Sequence, residues 1–306
     1  MMNDAVAEAA YKRRVRLVNG GLDSVLPRPT VEPGRLHEAM RHGVFGGGGG
    51  KRLRPVILLT VASDLGVAED RALAAAMALE LVHGYSLVHD DLPCMDDAAE
   101  RRGAAAVHAA YGYAEAVLAG DALLTLAFEL LGRAANSGLP RQGDLVVELA
   151  LAAGSLGMVG GQQADLDASG ATAGRLPGPA HPILKLHGLK TAKLFGFAFS
   201  APGYLAGAKA PVIRTLQEAG QDFGLAFQIA DDIRDAGSDR APNYAQAAGA
   251  TQARQTGLDA VARCQAALTA TLGEPAEILA LVHGASREMG LAGHAVAPGF
   301  NESSML

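Results

Sequence analysis

Val212, Leu216, Ala219, Phe223, Ala226, Ala230 and Ile233 recur at three- and four-residue steps and trace one apolar stripe. Strand signals are nearly absent from the chain, so this period predicts a helix of about six turns. The stripe runs into Asp231-Asp232-Ile233-Arg234-Asp235. About 140 residues earlier, another long apolar run ends in Asp90-Asp91-Leu92-Pro93-Cys94-Met95-Asp96-Asp97. Carboxylates grouped this tightly repel one another, and at a helix C-terminus they also oppose the helix dipole. They call for cations. Hard oxygen donors in such numbers suit Mg²⁺, which completes its shell with water and phosphate oxygens. A fold that makes the two clusters face each other would clamp a diphosphate through metal ions.

Similar runs cover roughly 4–24, 34–44, 53–64, 69–92, 114–135, 142–167, 183–207, 244–271 and 275–288. Pro211 stands where a first helical residue belongs and Gly237 where a helix would stop. Punctuation falls at Leu26-Pro27-Arg28-Pro29, Asn136 to Pro140 and Gly174 to Pro182. The expectation is an all-α bundle, a single domain over 1–306, with the tail after about 289 a candidate for disorder. Aromatics are 5% and tryptophan is absent, so the core should be largely Ala, Leu and Val. A net charge of −6 argues against a nucleic-acid partner, because phosphate backbones select basic surfaces. Cys94 and Cys264 lack metal-ligand spacing and fit a reducing compartment. The N-terminus has no apolar signal-peptide core, and no uncharged apolar stretch reaches the roughly 18–20 residues of a membrane span. A soluble, cytoplasmic protein is expected.

Residues 46–50 are five glycines leading into Lys51-Arg52-Leu53-Arg54-Pro55. Taken alone, such a run fits a flexible loop with a solvated basic patch as well as an anion cradle. The carboxylate clusters, which also call for phosphate, favour the cradle. In the second cluster, helical spacing puts Gln228, Asp231 and Asp235 on one face; the bland alternative is a solvated acidic face. In the first, Pro93 interrupts the helix, so the Leu92–Met95 segment would bulge and turn Asp96 back toward the same cations. Arg101-Arg102-Gly103 adds two guanidiniums suited to bidentate phosphate contacts. Glu80, His83, Leu87 and Asp90 or Asp91 share a helical face. An isolated His83 reads as an ordinary core or surface histidine, but below an acidic site it becomes a diphosphate donor. Lys190-Thr191 and the pair Gln162 and Asp165 mean little by themselves.

Seven segments nevertheless stand in one order: GGKRLRP at 49–55, LVHGYSLVHDDLPCMDD at 81–97, RRG at 101–103, AGDALL at 119–124, GMVGGQQADL at 157–166, LHGLKT at 186–191 and GLAFQIADDIRD at 224–235. In this the chain resembles the trans-isoprenyl diphosphate synthases, closest to the bacterial farnesyl and geranylgeranyl diphosphate synthases. The resemblance implies a helical bundle of the isoprenoid synthase type with a central cavity, usually homodimeric. It implies head-to-tail condensation of isopentenyl diphosphate with an allylic prenyl diphosphate. About three Mg²⁺ ions, with Mn²⁺ as a substitute, would be held by Asp90, Asp91, Asp96, Asp231 and Asp235. By the same analogy Arg101, Lys190 and Gln228 bind the allylic diphosphate, and Lys51, Arg54, His83 and Arg102 the isopentenyl diphosphate. Thr191 helps stabilise the allylic cation, and Gln162 and Asp165 belong to the site. Product length falls to Tyr85, with Ser86 beside it, roughly 7–8 Å below Asp90 on a helix. An aromatic residue there suggests farnesyl diphosphate; geranylgeranyl diphosphate is the alternative.

The departures carry weight too. Ala98-Ala99-Glu100 and Ala105-Ala106 replace the family's usual residues around the RRG segment, and the glycine loop is about two residues longer, which threatens to displace Lys51 and Arg54. After Asp235 the family carries two lysines that close over the allylic diphosphate. Here Ala236 to Tyr244 is shorter and Ala241 stands where a lysine belongs, leaving Arg234 and Arg240 to compensate. A degenerate prenyl-diphosphate-binding paralogue or partner subunit, and a class I terpene cyclase, are therefore the competing readings.

Overall fold

The structure is a computed structural model and describes residues 4–134, 141–168, 182–237, 242–274 and 276–291. Helices α1 (Asp4–Val25), α2 (Gly34–Phe45), α3 (Leu53–Asp64), α4 (Glu69–Asp90), α5 (Val107–Tyr111), α6 (Tyr113–Ala134) and α7 (Gln142–Ala153) form the first half. The second half contains α8 (Met158–Ala168), α9 (Pro182–His187), α10 (Lys193–Leu205), α11 (Ala210–Arg234), α12 (Tyr244–Ala248), α13 (Ala250–Leu272) and α14 (Glu277–Glu288). The all-α expectation holds, and most boundaries fall within a residue or two of those the apolar period marks. Three runs come out differently. The run 142–167 breaks at the turn 154–157, and 244–271 breaks at Gly249. The run 183–207 continues from α9 to α10 only through a π-helical turn, Gly188–Ala192.

The one strand pairing among the described residues is local. β1 (Glu100–Arg101) pairs antiparallel with β2 (Ala104–Ala105). Arg102 and Gly103 between them have φ of 55° and 75°, so both adopt the left-handed geometry of a tight hairpin turn. The RRG segment is therefore a hairpin tip, and its first arginine reaches Asp91 at the end of α4.

α11, the helix of the long apolar stripe, packs between α10 and α13, while α4 packs against α3 and α6. One connected core extends from Val18 to Leu291. Its largest fully buried side chains include Phe195, Phe197, Phe199 and Phe223. The core is largely Ala, Leu and Val as expected, and these four phenylalanines are concentrated where α10 meets α11. Phe195 and Phe223 meet edge to face at 5.3 Å. By length and apolarity alone, 69–90 and 143–168 would suffice to cross a membrane. The first is the core helix α4, and the second is divided by the turn at 154–157.

Candidate functional site

α4 and α11 deliver their acidic ends to one cavity of about 700 Å³. Asp90 and Asp96 line it from one side of the sequence, Asp231 and Asp235 from the other, and Asp165 of α8 joins them. The bulge expected at Pro93 takes the form of stacked turns. The Asp96 N–H donates to the Asp90 carbonyl at 2.9 Å and the Asp97 N–H to that of Leu92 at 3.1 Å, which bring Asp96 back beneath the helix end. Burial pushes the Asp90 carboxyl up to about 6, with Lys190 opposing the rise and Asp96 adding to it. Burial likewise pushes Asp231 up to about 6, against the pull of Arg234 and with Asp235 and Asp232 adding to it. A cation bound between them would favour the ionised form of both.

Asp91 faces elsewhere. It is buried and accepts from Arg101 Nε at 2.9 Å, so it orients that guanidinium, which does line the cavity. Lys190, on the π-helical turn, donates to Asp165 at 2.5 Å. Burial works against the Lys190 ammonium, but Asp165 and Asp90 outweigh it and hold its pKa above the ordinary value. Thr191 donates to Gln228 at 2.8 Å. Tyr85, Ser86, Leu87, Met158 and Leu194 contribute the less polar lining, and Tyr85 stacks edge-on against His89 at 5.8 Å.

A second cavity of about 450 Å³ adjoins the first, with Arg54, His83, Phe227, Asp231 and Arg234 lining both. Its character is cationic: Lys51, Arg52, Arg54 and Arg102 all line it. Arg52 is already paired with buried Glu80 at 2.6 Å. Lys51, Arg54 and Arg102 make no ion pair among the described residues. Burial lowers the Arg54 pKa to about 10, its Nε is buried without a hydrogen-bond partner, and its guanidinium lies 4.4 Å from the Phe195 ring centre. His83 is held well below its ordinary pKa by burial and by Arg54 and Arg102. It is neutral, with Nε2 turned to an Arg54 N–H at 3.4 Å.

The longer glycine loop does not carry Lys51 and Arg54 away. Gly47 to Gly50 all have positive φ. A Cβ on Gly47 would come within 2.2 Å of the Arg102 carbonyl, and one on Gly50 within 2.5 Å of its guanidinium carbon. Only glycine allows both the turn and that approach. The Tyr11 hydroxyl of α1 then fixes the loop's end by donating to the Lys51 carbonyl at 2.5 Å.

The donor set suits Mg²⁺. Among the described residues no group of three His, Cys, Asp or Glu side chains forms a closed metal site. A cation between the two aspartate ends would have to complete its shell with water and phosphate oxygens, which is how Mg²⁺ is usually held.

The sequence model for polyprenyl synthetases matches residues 34–247. The chain belongs to the polyprenyl synthetase family. It is 42% identical over 205 residues to the farnesyl diphosphate synthase of Bacillus subtilis, a match covering 66% of this chain and 67% of that one. It is 40% identical over 225 residues to the large subunit 1 of a heterodimeric geranylgeranyl pyrophosphate synthase of Arabidopsis thaliana, covering 72% of this chain and 59% of that protein. Among solved structures, an FPP/GFPP synthase of Zymomonas mobilis superposes with a TM-score of 0.78 at 36% identity, covering 91% of this chain and 96% of that one. A geranyltranstransferase of Thermotoga maritima gives 0.79 at 30%, covering 92% and 98%.

Two features of this family member escaped the sequence reading. Asp232 points away from the cavity and is buried. It accepts from the Tyr244 N–H at 2.6 Å and from Gln228 at 3.4 Å, and its carboxylate lies 2.7 Å from His187 Nε2. Asn243 donates to its carbonyl at 2.8 Å. It thereby ties the chain after the second cluster to the helix preceding Lys190. The other is Arg52 with Glu80. A glutamate within the Ala-Leu-Val face of α4 was the available signal, since a charge buried there requires a partner. Arg240 and Ala241, on which the missing-lysine expectation turned, lie outside the described residues.

Proposed function

We propose that the two adjoining cavities carry out head-to-tail condensation of isopentenyl diphosphate with an allylic diphosphate. The chain is a trans-prenyltransferase, and the product we infer is farnesyl diphosphate. One observation carries the reading: an acidic cavity and a cationic one share a wall, so two diphosphates can be held side by side, one through metal ions and one by guanidinium and ammonium groups directly. A cyclase or a binding subunit has no use for the second.

Asp90, Asp96, Asp231 and Asp235 would hold Mg²⁺, with Asp91 acting through Arg101. Bound there, Mg²⁺ makes the allylic diphosphate a better leaving group. Lys190 and Arg101 stabilise the charge that develops on the departing diphosphate as the allylic carbon–oxygen bond breaks. Thr191, whose hydroxyl donates to Gln228, would turn its oxygen toward the cationic carbon, and Gln228 would assist in binding the allylic diphosphate. Lys51, Arg54 and Arg102 hold the second diphosphate, and neutral His83 adds a ring nitrogen without adding charge. The double bond of isopentenyl diphosphate attacks the cation, a carbon–carbon bond forms, and the proton lost leaves with the released diphosphate. Tyr85 limits the tail. Exposed apolar residues on α6 and α7, including Val117, Leu118, Val147 and Leu151, support a second copy as the partner.

The test is direct. The purified chain is incubated with Mg²⁺, isopentenyl diphosphate and each allylic diphosphate in turn, and the dephosphorylated products are chromatographed. Farnesol as the end product is expected. Hydrocarbons would indicate a cyclase, and unchanged substrate a binding subunit.

A further inference from the structure

Arg234 is the last residue of α11 and lines both cavities. Its guanidinium donates to Asp231 Oδ1, one turn earlier, with its side chain half exposed. That bond occupies a carboxylate oxygen that a divalent cation would also take, and the two cations repel each other at such range. Displaced, the guanidinium is already on the wall of the second cavity. There Lys51, Arg54 and Arg102 form no ion pair among the described residues; after burial, Glu288 supports the Lys51 charge and Arg234 is close enough to oppose it. Glu80 and Asp231 on the same wall offset part of that charge, and a bound diphosphate would offset more of it.

We propose that Arg234 is a ligand of the second diphosphate and a partner-exchange switch: it neutralises Asp231 until a metal ion takes that carboxylate, and then turns to the diphosphate in the glycine-loop cavity. The switch couples the two sites without movement of the backbone. A metal-bound first diphosphate releases a guanidinium to the second site, so the second diphosphate binds tighter once the first is in place. By linkage the reverse holds equally. The proposal rests on the two-diphosphate reading of the cavities.

Calorimetric titration of the full chain with isopentenyl diphosphate in EDTA tests the exchange without catalysis. Removing the carboxylate in Asp231→Ala should free Arg234 and tighten binding by about fivefold or more. The double variant Asp231→Ala/Arg234→Leu should lose that gain, while Arg234→Leu alone should bind no tighter than the parent, because it leaves the Asp231 carboxylate unneutralised on the cavity wall. With Mg²⁺ and a non-ionising thiolo analogue of the allylic substrate present, the parent should tighten and Arg234→Leu should not. Arg234→Gln, neutral but still polar, should behave as Arg234→Leu does, which separates charge from any packing defect. A double variant that keeps the gain of Asp231→Ala overturns the proposal, because Asp231 would then act through its own negative charge alone. Failure of all these proteins to bind isopentenyl diphosphate would instead remove the two-diphosphate reading, and the switch with it.

Discussion

Tyr85 lies one and a half turns before Asp90 on α4, is buried, and shares the cavity wall with it. Its ring is held edge-on by His89, whose Nε2 lies 3.0 Å from the Val117 carbonyl on α6, so it is braced from behind. Tyr85→Ala should therefore open the cavity instead of letting the ring's place fill by collapse. The expected products are prenols longer than farnesol, at a cost of about 3 kcal/mol in stability. A folded variant with an unchanged product would clear Tyr85 of the role. The paired carboxylates give a second prediction at this scale. Asp90 and Asp231 titrate near 6 in the folded protein against an ordinary value of 3.8. Between these values the folded state binds more protons than the unfolded one, so these groups make stability fall as pH rises from about 4 to 6, with the loss complete above that. Thermal melts in EDTA should follow this slope, and Asp231→Asn should flatten it. Added Mg²⁺ should restore stability at neutral pH. A slope identical in Asp231→Asn and the parent would place the effect in other groups.

At the scale of elements, Asp232 decides how the end of α11 is joined to the next helix. Asp232→Ala would leave the Tyr244 N–H without its acceptor and His187 without its carboxylate partner, both buried, at about 1–3 kcal/mol for each unsatisfied group. A loss of about 3 kcal/mol in urea unfolding is expected, with faster amide exchange at Tyr244. Protection equal to the parent's would show that the segment is held by other contacts. The element explains why the sequence was only partly legible. Residues at 228, 231 and 235 read as a site because helical spacing projects them onto one face. Asp232, one position on, reads as more of the same acidic cluster, and only the fold reveals that it turns into the core. The same limit applies to the π-helical turn at Gly188–Ala192, since apolar periodicity carries no mark of a hydrogen-bond shift from i→i+4 to i→i+5. That turn carries Lys190 and Thr191. Conversely, the grouping of Lys51, Arg54 and Arg102 at one cavity was legible from the glycine run and the RRG segment, and that of His83 from the helical face it shares with Glu80 and Leu87. Asp91 differs from Asp90 although they are adjacent: neighbours on a helix project about 100° apart, and here Asp90 lines the cavity while Arg101 takes the Asp91 carboxylate.

For the whole molecule, the open question is what covers α6 and α7. Tyr113 and Val117 are one turn apart on α6, and Val147 and Leu151 are one turn apart on α7. All four are more than two-fifths exposed, and the two helices pack against each other. Exposed apolar residues gathered on two packed helices are candidates for an interface. A second copy is the occupant proposed above, and a two-fold pairing would bury each stripe against its own equivalent. Val147→Asp/Leu151→Asp should therefore convert a dimer into a monomer in sedimentation velocity. Both side chains are more than half exposed, so the fold should survive the change. The consequence reaches the site. α6 packs along α4, and its Val117 carbonyl contacts His89, adjacent to Asp90. A dimer that clamps α6 therefore braces the helix that carries the first aspartate cluster and Tyr85. The monomeric variant should bind isopentenyl diphosphate alone as the parent does, because the glycine-loop cavity is not lined by α6. Its demand for Mg²⁺ in turnover should rise, because the Asp90 end of the clamp is less firmly placed. A variant that stays dimeric, or a parent that sediments as a monomer, would assign the apolar face to a different partner.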